Sequence, residues 1–311
     1  MLVAVLGLAG AGCGGTRLNG HGVLFVRRDP ESESTGIGPV YVWRPGSRST
    51  SKVSQSTDLK SWVQWSPDGK QISFVAVKGY LGDSPEIGDS GDIWVADVKD
   101  VAKAKDVTPL TQSCCPHPLP PNWTCECGGG PGYRNDGDFA PSWSPDGRQI
   151  AYDHEGSNFT NTLRILTLET GRSRSLHVYG FVSTWGPRGI AYSSGRSIRL
   201  LNPETDQWKP FASAPGDVKG LAWSRSGGLA ALVNRRLVVV YSASGRPIRR
   251  FRAPQPTCAN AITWSPDGKH LLITAGYDRH STYWHVYEVD PAGRHWQLTP
   301  IRPSDCATSW R

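Results

Sequence analysis

The sequence predicts an all-β fold built from repeated four-stranded sheets, and two observations support that prediction. Gly (35 residues) and Pro (24 residues) are abundant, and Trp occurs 13 times while Met occurs once. This composition favours short strands and tight turns over helices. The second observation is an internal repeat, which decides the architecture.

The pentapeptide Trp-Ser-Pro-Asp-Gly occurs three times, beginning at Trp65, Trp143 and Trp264. Two degenerate copies begin at Trp185 and Trp223, so that successive Trp residues are separated by 78, 42, 38 and 41 residues. A period of about 40 residues is typical of one four-stranded blade of a β-propeller, and the first interval contains a long insertion. Within each copy, Pro, Asp and Gly predict a tight turn between two strands. The Trp is predicted to pack between blades.

The two ends of the chain are predicted to share one blade. Residues 305–311 match the segment 138–143, which precedes a repeat turn, and therefore form the inner strand of another blade. The remaining strands of that blade are predicted near Val23, Val40 and Val53. One composite blade and five internal blades predict a six-bladed β-propeller of four-stranded antiparallel blades, in which closure hides the sheet edges.

These repeats resemble those of the TolB-like and WD-repeat-like propellers, whose signature is a Trp-Ser-Pro-Asp-Gly turn. The resemblance covers residues 21–311 and implies the propeller fold for that range. It implies no particular activity, because propellers host many functions.

The first 12 residues form an apolar run that ends at Cys13. Such a run predicts the core of a signal peptide, since it is too short to span a bilayer. The segment Gly10-Ala11-Gly12-Cys13 resembles the processing site of bacterial lipoproteins, which implies a diacylglycerol thioether on the cysteine. We predict a signal peptide at 1–12, a lipid-proximal tether at 13–20 and an exported protein anchored to the extracytoplasmic side of the cell membrane. Secretion without lipid and an uncleaved anchor are the alternatives.

Long connections are predicted on one face of the propeller. Connections of an up-and-down blade alternate between the two faces, so the repeat turns mark one face and segments such as 78–91 and the insertion 112–137 mark the other. Long loops on one face of a rigid scaffold often form a binding surface, although tolerated surface insertions are the alternative. We predict that this face points away from the membrane and binds a protein, peptide or glycan. The candidate binding residues are Tyr80, Asp83, Glu86, Tyr133, Arg134, His154, Tyr277, Arg279 and His280.

The sequence contains no recognisable catalytic motif. Gly88-Asp89-Ser90-Gly91 resembles a serine-protease motif but lacks its following Gly, and we interpret it as a turn. There is no His-Glu-x-x-His motif and no phosphate-binding loop. We predict a non-enzymatic binding or scaffold protein without catalytic residues or a required cofactor. The alternative is a lyase-type or cyclase-type propeller enzyme, which would show His, Tyr, Arg and carboxylate groups converging at the mouth of the channel.

The net charge of +7 is interpreted as a solvated basic surface. We therefore predict no nucleic-acid partner, and we expect a monomer. A cluster of acidic residues near Asp83 and Glu86 lacks the spacing of a calcium-binding loop and is interpreted as a solvated loop.

Seven cysteines suit an oxidising compartment, with one available for the lipid and six for disulfides. Cys258 and Cys306 lie just before the inner strands of neighbouring blades, so we predict a disulfide between them. In the insertion, Cys114 or Cys115 is expected to form a disulfide with Cys125 or Cys127, because disulfides between vicinal residues, or between residues one apart, are strained. A zinc site with the nearby His117 is the alternative. The four insertion cysteines are Cys114, Cys115, Cys125 and Cys127.

The lipid prediction is tested by replacing Cys13 with Ser. We expect the variant to move from the membrane fraction to the soluble envelope fraction or the medium, because it lacks the thiol that would carry the lipid. Fractionation and immunoblotting measure this distribution, with Thr16→Ser as a matched control in the tether. A Cys13→Ser variant that stays with the membranes in the wild-type proportion contradicts the prediction.

Overall fold

The computed structural model describes residues 22–27, 40–43, 50–53, 60–76, 91–108, 137–155, 161–176, 178, 182–254, 258–276, 284–298 and 305–310. Regular structure within these ranges consists of 24 β-strands. None of the described segments forms a helix with the length and apolar character needed to cross a membrane.

The strands form six four-stranded sheets, which we number in chain order. Sheet 1 contains strands from both ends of the chain, in the order β24 (Asp305–Trp310), β1 (Val23–Arg27), β2 (Val40–Trp43) and β3 (Thr50–Lys52). Val23 pairs with Trp310 in an antiparallel register, so the predicted composite sheet is present.

The other five sheets each consist of four consecutive strands in antiparallel order. Sheet 2 contains β4 (Lys60–Trp65), β5 (Gln71–Ala76), β6 (Asp92–Asp97) and β7 (Asp100–Asp106). Sheet 3 contains β8 (Gly137–Trp143), β9 (Gln149–Glu155), β10 (Asn161–Thr167) and β11 (Arg172–Leu176). Sheet 4 contains β12 (Val182–Gly186), β13 (Gly189–Ser194), β14 (Ser197–Leu201) and β15 (Trp208–Ser213). Sheet 5 contains β16 (Val218–Trp223), β17 (Leu229–Val233), β18 (Leu237–Tyr241) and β19 (Pro247–Arg252). Sheet 6 contains β20 (Cys258–Trp264), β21 (Leu271–Gly276), β22 (Trp284–Val289) and β23 (His295–Gln297).

The inner strands of successive sheets contact one another. Strand β4 contacts β8, β8 contacts β12, β12 contacts β16 and β16 contacts β20, while β24 contacts both β20 and β4. This cyclic arrangement confirms the predicted β-propeller with four-stranded antiparallel blades.

The composite sheet packs on both of its faces. On one side, Val23 clusters with Leu272 and Val286 of sheet 6. On the other side, Val40 and Val42 join a core cluster that contains residues of sheet 2. Burial of apolar side chains on both faces is what a sheet between two neighbours requires.

The repeat turns are held by a local network of hydrogen bonds. Ser66 Oγ donates to Asp68 Oδ1 at 2.7 Å and accepts from the backbone N–H of Gln71 at 2.9 Å. Gly69 has a φ of 71°, a conformation in which a side chain would be strained. The turns that begin at Ser144 and Ser265 contain the same Ser–Asp bond at 2.6 Å. The residues of the repeat therefore specify each turn locally.

The Trp residues of the three intact repeats join their sheets to the preceding one, whereas the buried Nε1 of Trp223 has no hydrogen-bond partner among the described residues. The Nε1 of Trp143 donates to Ser73 Oγ of sheet 2 at 2.9 Å, and that of Trp264 donates to the Ala222 carbonyl of sheet 5 at 3.0 Å. The side chain of Trp143 is buried. These contacts confirm the prediction that the repeat Trp packs between blades.

We expect Trp143→Phe to lower the free energy of unfolding by about 1–3 kcal/mol, because the change leaves the buried Ser73 hydroxyl without its donor. Urea denaturation followed by fluorescence measures the effect. The matched control is Trp296→Phe, since Trp296 is partly exposed on the outer strand β23. Equal losses for the two variants would contradict the role assigned to the repeat Trp.

Candidate functional site

We call the end of the sheets at which the inner strands begin the loop-rich end, and the opposite end the short-turn end. Two long connections end at the loop-rich end of the sheets. The segment 78–91 ends at Gly91, and the segment 112–137 ends at Gly137. The backbone N–H of Asp138 donates to the Gly91 carbonyl at 2.8 Å. Gly91 and Gly137, the last residues of these segments, therefore lie close together at the loop-rich end, while the rest of both segments lies outside the described residues.

Of the nine candidate binding residues, His154 falls within the described residues. Cys258 and Cys306 are the two cysteines predicted to form a disulfide. They belong to strands β20 and β24, which contact each other. The candidates outside the described residues are Tyr80, Asp83, Glu86, Tyr133, Arg134, Tyr277, Arg279, His280, Cys13, Cys114, Cys115, Cys125 and Cys127.

His154 forms a close pair with a carboxylate at the loop-rich end. It lies opposite Asp138 in the register of β8 and β9, and His154 Nδ1 is 2.7 Å from Asp138 Oδ1. The Asp138 side chain is only 4% exposed, whereas that of His154 is 14% exposed. The carboxylate therefore orients the imidazole, whose edge remains accessible from outside.

An exposed aromatic side chain lies on the inner strand of the neighbouring sheet. Trp62 is 44% exposed, and its ring meets the edge of Phe139 of sheet 3 with the centroids 5.7 Å apart. The register of β4 against β5 shifts between Ser61 and Gln64, and Trp62 has a φ of 46°. This register shift is a β-bulge. It changes the direction in which the indole projects, because an extra residue alters the course of the strand.

Sequence reasoning missed Trp62, although the repeat contained a signal for it. Trp62 lies three residues before its repeat Trp. The corresponding residues of the other inner strands are Ala140, Val182, Gly220, Ala261 and Ala307. A large aromatic residue at a position otherwise occupied by small or β-branched residues indicates a local role beyond the repeat.

Asp153 is a buried carboxylate of sheet 3 with a perturbed pKa. Burial raises the pKa of Asp153 to about 7, and Ser183 Oγ of sheet 4 donates to its Oδ1 at 3.4 Å. Tyr152, the preceding residue, is buried, and its hydroxyl lies 2.5 Å from Ser173 Oγ of the outer strand β11. The tyrosine hydroxyl is thus directed to the outer part of the sheet and does not join His154.

The central cavity at the short-turn end has a volume of about 540 Å³. Residues from five inner strands line it, including Gln64, Ser142, Thr184 and Thr263, each of which precedes a repeat Trp. Their hydroxyl and amide groups make this part of the channel polar. Within the part of the chain that the structure describes, no group of three His, Cys, Asp or Glu residues is placed to hold a metal ion.

Comparisons with known proteins support the fold. No protein-family model matches the chain. The structure of TolB from Acinetobacter baumannii superposes with a TM-score of 0.67 at 14% identity, covering 94% of this chain and 68% of that one. A chain of a nidogen/laminin complex superposes with a TM-score of 0.61 at 11% identity, covering 93% of this chain and 99% of that one. At these identities the likeness shows that the chain shares a propeller fold with TolB and says nothing about its activity.

A curated relative matches a shorter stretch. The uncharacterized peptidase YuxL of Bacillus subtilis (strain 168) is 31% identical over 148 residues, which are 43% of this chain and 21% of that protein. The match therefore spans about a fifth of the relative's length.

Asp153→Asn tests the buried carboxylate. Because the folded pKa lies above the ordinary value of 3.8, the folded state keeps a proton that the unfolded state loses from about pH 4 upward. The part of the free energy of unfolding that this proton contributes is fully present below about pH 4 and is lost as the pH rises through about 7. We expect the free energy of unfolding of the wild type to fall relative to that of Asp153→Asn between about pH 4 and pH 7, by about 1.4 kcal/mol for each unit of pKa difference.

Urea denaturation at a series of pH values measures this effect. Asp217→Asn, which changes an exposed carboxylate, should follow the wild-type profile. A constant stability difference between wild type and Asp153→Asn over the whole pH range would contradict the assignment.

Proposed function

We propose that the protein is a non-enzymatic binding propeller of the bacterial cell envelope, which engages a protein, peptide or glycan through its loop-rich end. The observation that carries the proposal is Trp62, which projects from a bulged inner strand with 44% of its surface exposed.

Trp62 differs from its counterparts in side chain and not in backbone. Ala140, the equivalent residue of β8, has a φ of 50° and also lies at a register shift, so the bulge belongs to the inner strands and Trp62 is the large aromatic residue that one of these bulges presents. The indole buries less of its apolar surface than it would in the core. Its edge contact with Phe139 nevertheless restricts its orientation. A preoriented Trp on a rigid strand is the kind of side chain that dominates binding energy at interfaces.

Polar groups for recognition are available beside this aromatic pair. Phe139 follows Asp138 directly in β8, and Asp138 orients His154. An imidazole with one nitrogen fixed by a carboxylate leaves the other nitrogen for a ligand. Gly91 and Gly137, where the segments 78–91 and 112–137 end, lie close together at this end, so the candidate residues of those segments would complete the surface.

The structural neighbours are consistent with a binding role. TolB shares the fold, and the second neighbour comes from a complex between nidogen and laminin. The proposal takes the six sheets as the blades of one ring, closed by β24 and covalently secured by a Cys258–Cys306 disulfide. Contacts of β24 with β20 and β4 support that closure. Lipid on Cys13 would attach the ring to the membrane.

An enzyme of the lyase or cyclase type is the second candidate, and the Asp138–His154 pair is the observation that favours it. A paired imidazole is suited to acid–base chemistry. The curated relative's name also points to an activity, although the match covers 21% of that protein. Mass spectrometry of the bound ligand before and after incubation separates the candidates, because only an enzyme returns it chemically altered.

The binding proposal is tested with Trp62→Ala. We expect the immobilised variant to retain at least about tenfold less ligand from envelope extracts than wild type, because a central aromatic anchor contributes about 2 kcal/mol or more. Quantitative proteomics and glycan analysis of the eluates measure the loss. Trp296→Ala is the matched control, since it removes an indole of similar exposure from an outer strand. Equal capture by Trp62→Ala and wild type would refute the proposed surface.

A further inference from the structure

An open cleft lies beside the central cavity at the short-turn end of sheet 4, and the two share Trp185, Gly186 and Pro187 among their lining residues. The cleft has a volume of about 770 Å³. Its walls include the turn 186–189, which joins β12 to β13, and the turn 202–207, which joins β14 to β15. Trp208, the first residue of β15, forms another part of the wall. This cleft is formed by different strands from those that carry Trp62, at the other end of the molecule.

Trp208 is fixed in place although it is 47% exposed. It pairs in register with Leu201, which is buried in the core between sheets 3 and 4. The guanidinium carbon of Arg199 lies 4.3 Å from the centroid of the Trp208 ring. The cation holds one face of the indole, so the rest of the ring offers a preformed apolar platform to the cleft.

The turn 202–207, which leads directly into Trp208, is held by contacts from its own residues and from the neighbouring sheet. Arg174 of β11 donates to Asp206 Oδ1 at 2.7 Å and also to the Pro203 carbonyl. The backbone N–H of Glu204 donates to Asn202 Oδ1 at 2.9 Å. The wall is therefore ordered before any ligand arrives, which lowers the entropy lost on binding.

The polar groups that line the cleft define the chemistry of the ligand. Arg188 and Lys209 supply two cations against the single carboxylate of Glu204, and Gln207 adds an amide. Hydroxyl groups are recognised by such mixed donors and acceptors, while the excess of cations favours an anionic group. The flat apolar face of a pyranose ring complements an indole.

We propose that this cleft binds an acidic carbohydrate, with a sugar ring stacked on Trp208 and its carboxylate paired with Arg188 and Lys209. A small apolar platform with a few convergent polar groups is the usual composition of a ligand site. The neutral oligosaccharides and acidic peptides that could also meet such a surface are distinguished by the test below.

The test uses the full chain and a panel of soluble tetrasaccharides containing galacturonic, glucuronic, N-acetylmuramic or N-acetylneuraminic acid, with maltotetraose and tetraglutamate as comparators. Isothermal titration calorimetry should show binding of at least one acidic tetrasaccharide that is about tenfold or more weaker for Trp208→Ala. Trp208→Phe should retain part of the affinity, because it keeps an aromatic platform. Arg188→Ala should weaken binding and reduce its salt dependence.

Trp296→Ala and Trp62→Ala should both bind like wild type, which separates this cleft from the loop-rich end. The melting temperature of every variant should be measured, since an exposed outer-strand residue is expected to leave the fold intact. The proposal is overturned if no acidic tetrasaccharide binds, if maltotetraose or tetraglutamate binds equally well, or if Trp208→Ala retains wild-type affinity.

Discussion

The packing of each sheet against the one before it is the constraint on which the rest of the structure depends. Strands such as β17 (Leu229–Val233) are buried along their whole length, because both faces of the sheet are covered. A single sheet of this kind would expose large apolar areas on both sides and would not be stable alone. The Trp of each intact repeat supplies part of this contact and fixes its position, since its indole N–H donates to a defined acceptor on the preceding sheet's side.

This constraint acts mainly at the short-turn end and leaves the other end free to vary. Trp65 is buried and bonded to the Gly22 carbonyl, and three residues earlier Trp62 adopts a strained backbone conformation. The hydrogen bond of Trp65 fixes one end of β4. The strand therefore cannot shift its register to relieve the backbone strain at Trp62. A register shift also occurs in β8, whereas β12 pairs with β13 without one. Shifts also occur in β16, β20 and β24, so most inner strands share the irregularity and differ in the side chain that they present there.

The fold was largely predictable because its determinants are local. Ser66, Asp68 and Gly69 make their turn through bonds to each other and to nearby backbone, so a short motif identifies it wherever it occurs. The degenerate copy at Trp185 still turns, with Gly189 at a φ of 107°. The composite sheet was predictable because residues 305–310 repeat the pattern of another inner strand.

The site was less predictable because its properties depend on contacts between sheets. The exposure of Trp62 follows from its register against β5, and the raised pKa of Asp153 follows from burial beneath sheet 4. At the Trp208 cleft, Arg174 from sheet 3 holds the turn 202–207 through its bond to Asp206. None of these partners is close in sequence, so a repeat motif cannot report them. His154 was identified from its position at the start of the predicted connection 154–161, but its partner Asp138 was not.

The position of Gly22 relates the two ends of the protein to the proposed membrane anchor. Its carbonyl accepts from Trp65 Nε1, which places the start of β1 at the short-turn end. A tether from Cys13 to Gly22 would therefore leave from that end and reach about 30 Å when fully extended. The surface around Trp62 would face outward, toward soluble partners. The Trp208 cleft would lie on the side that faces the membrane, within that reach, so the two proposed surfaces would meet different surroundings.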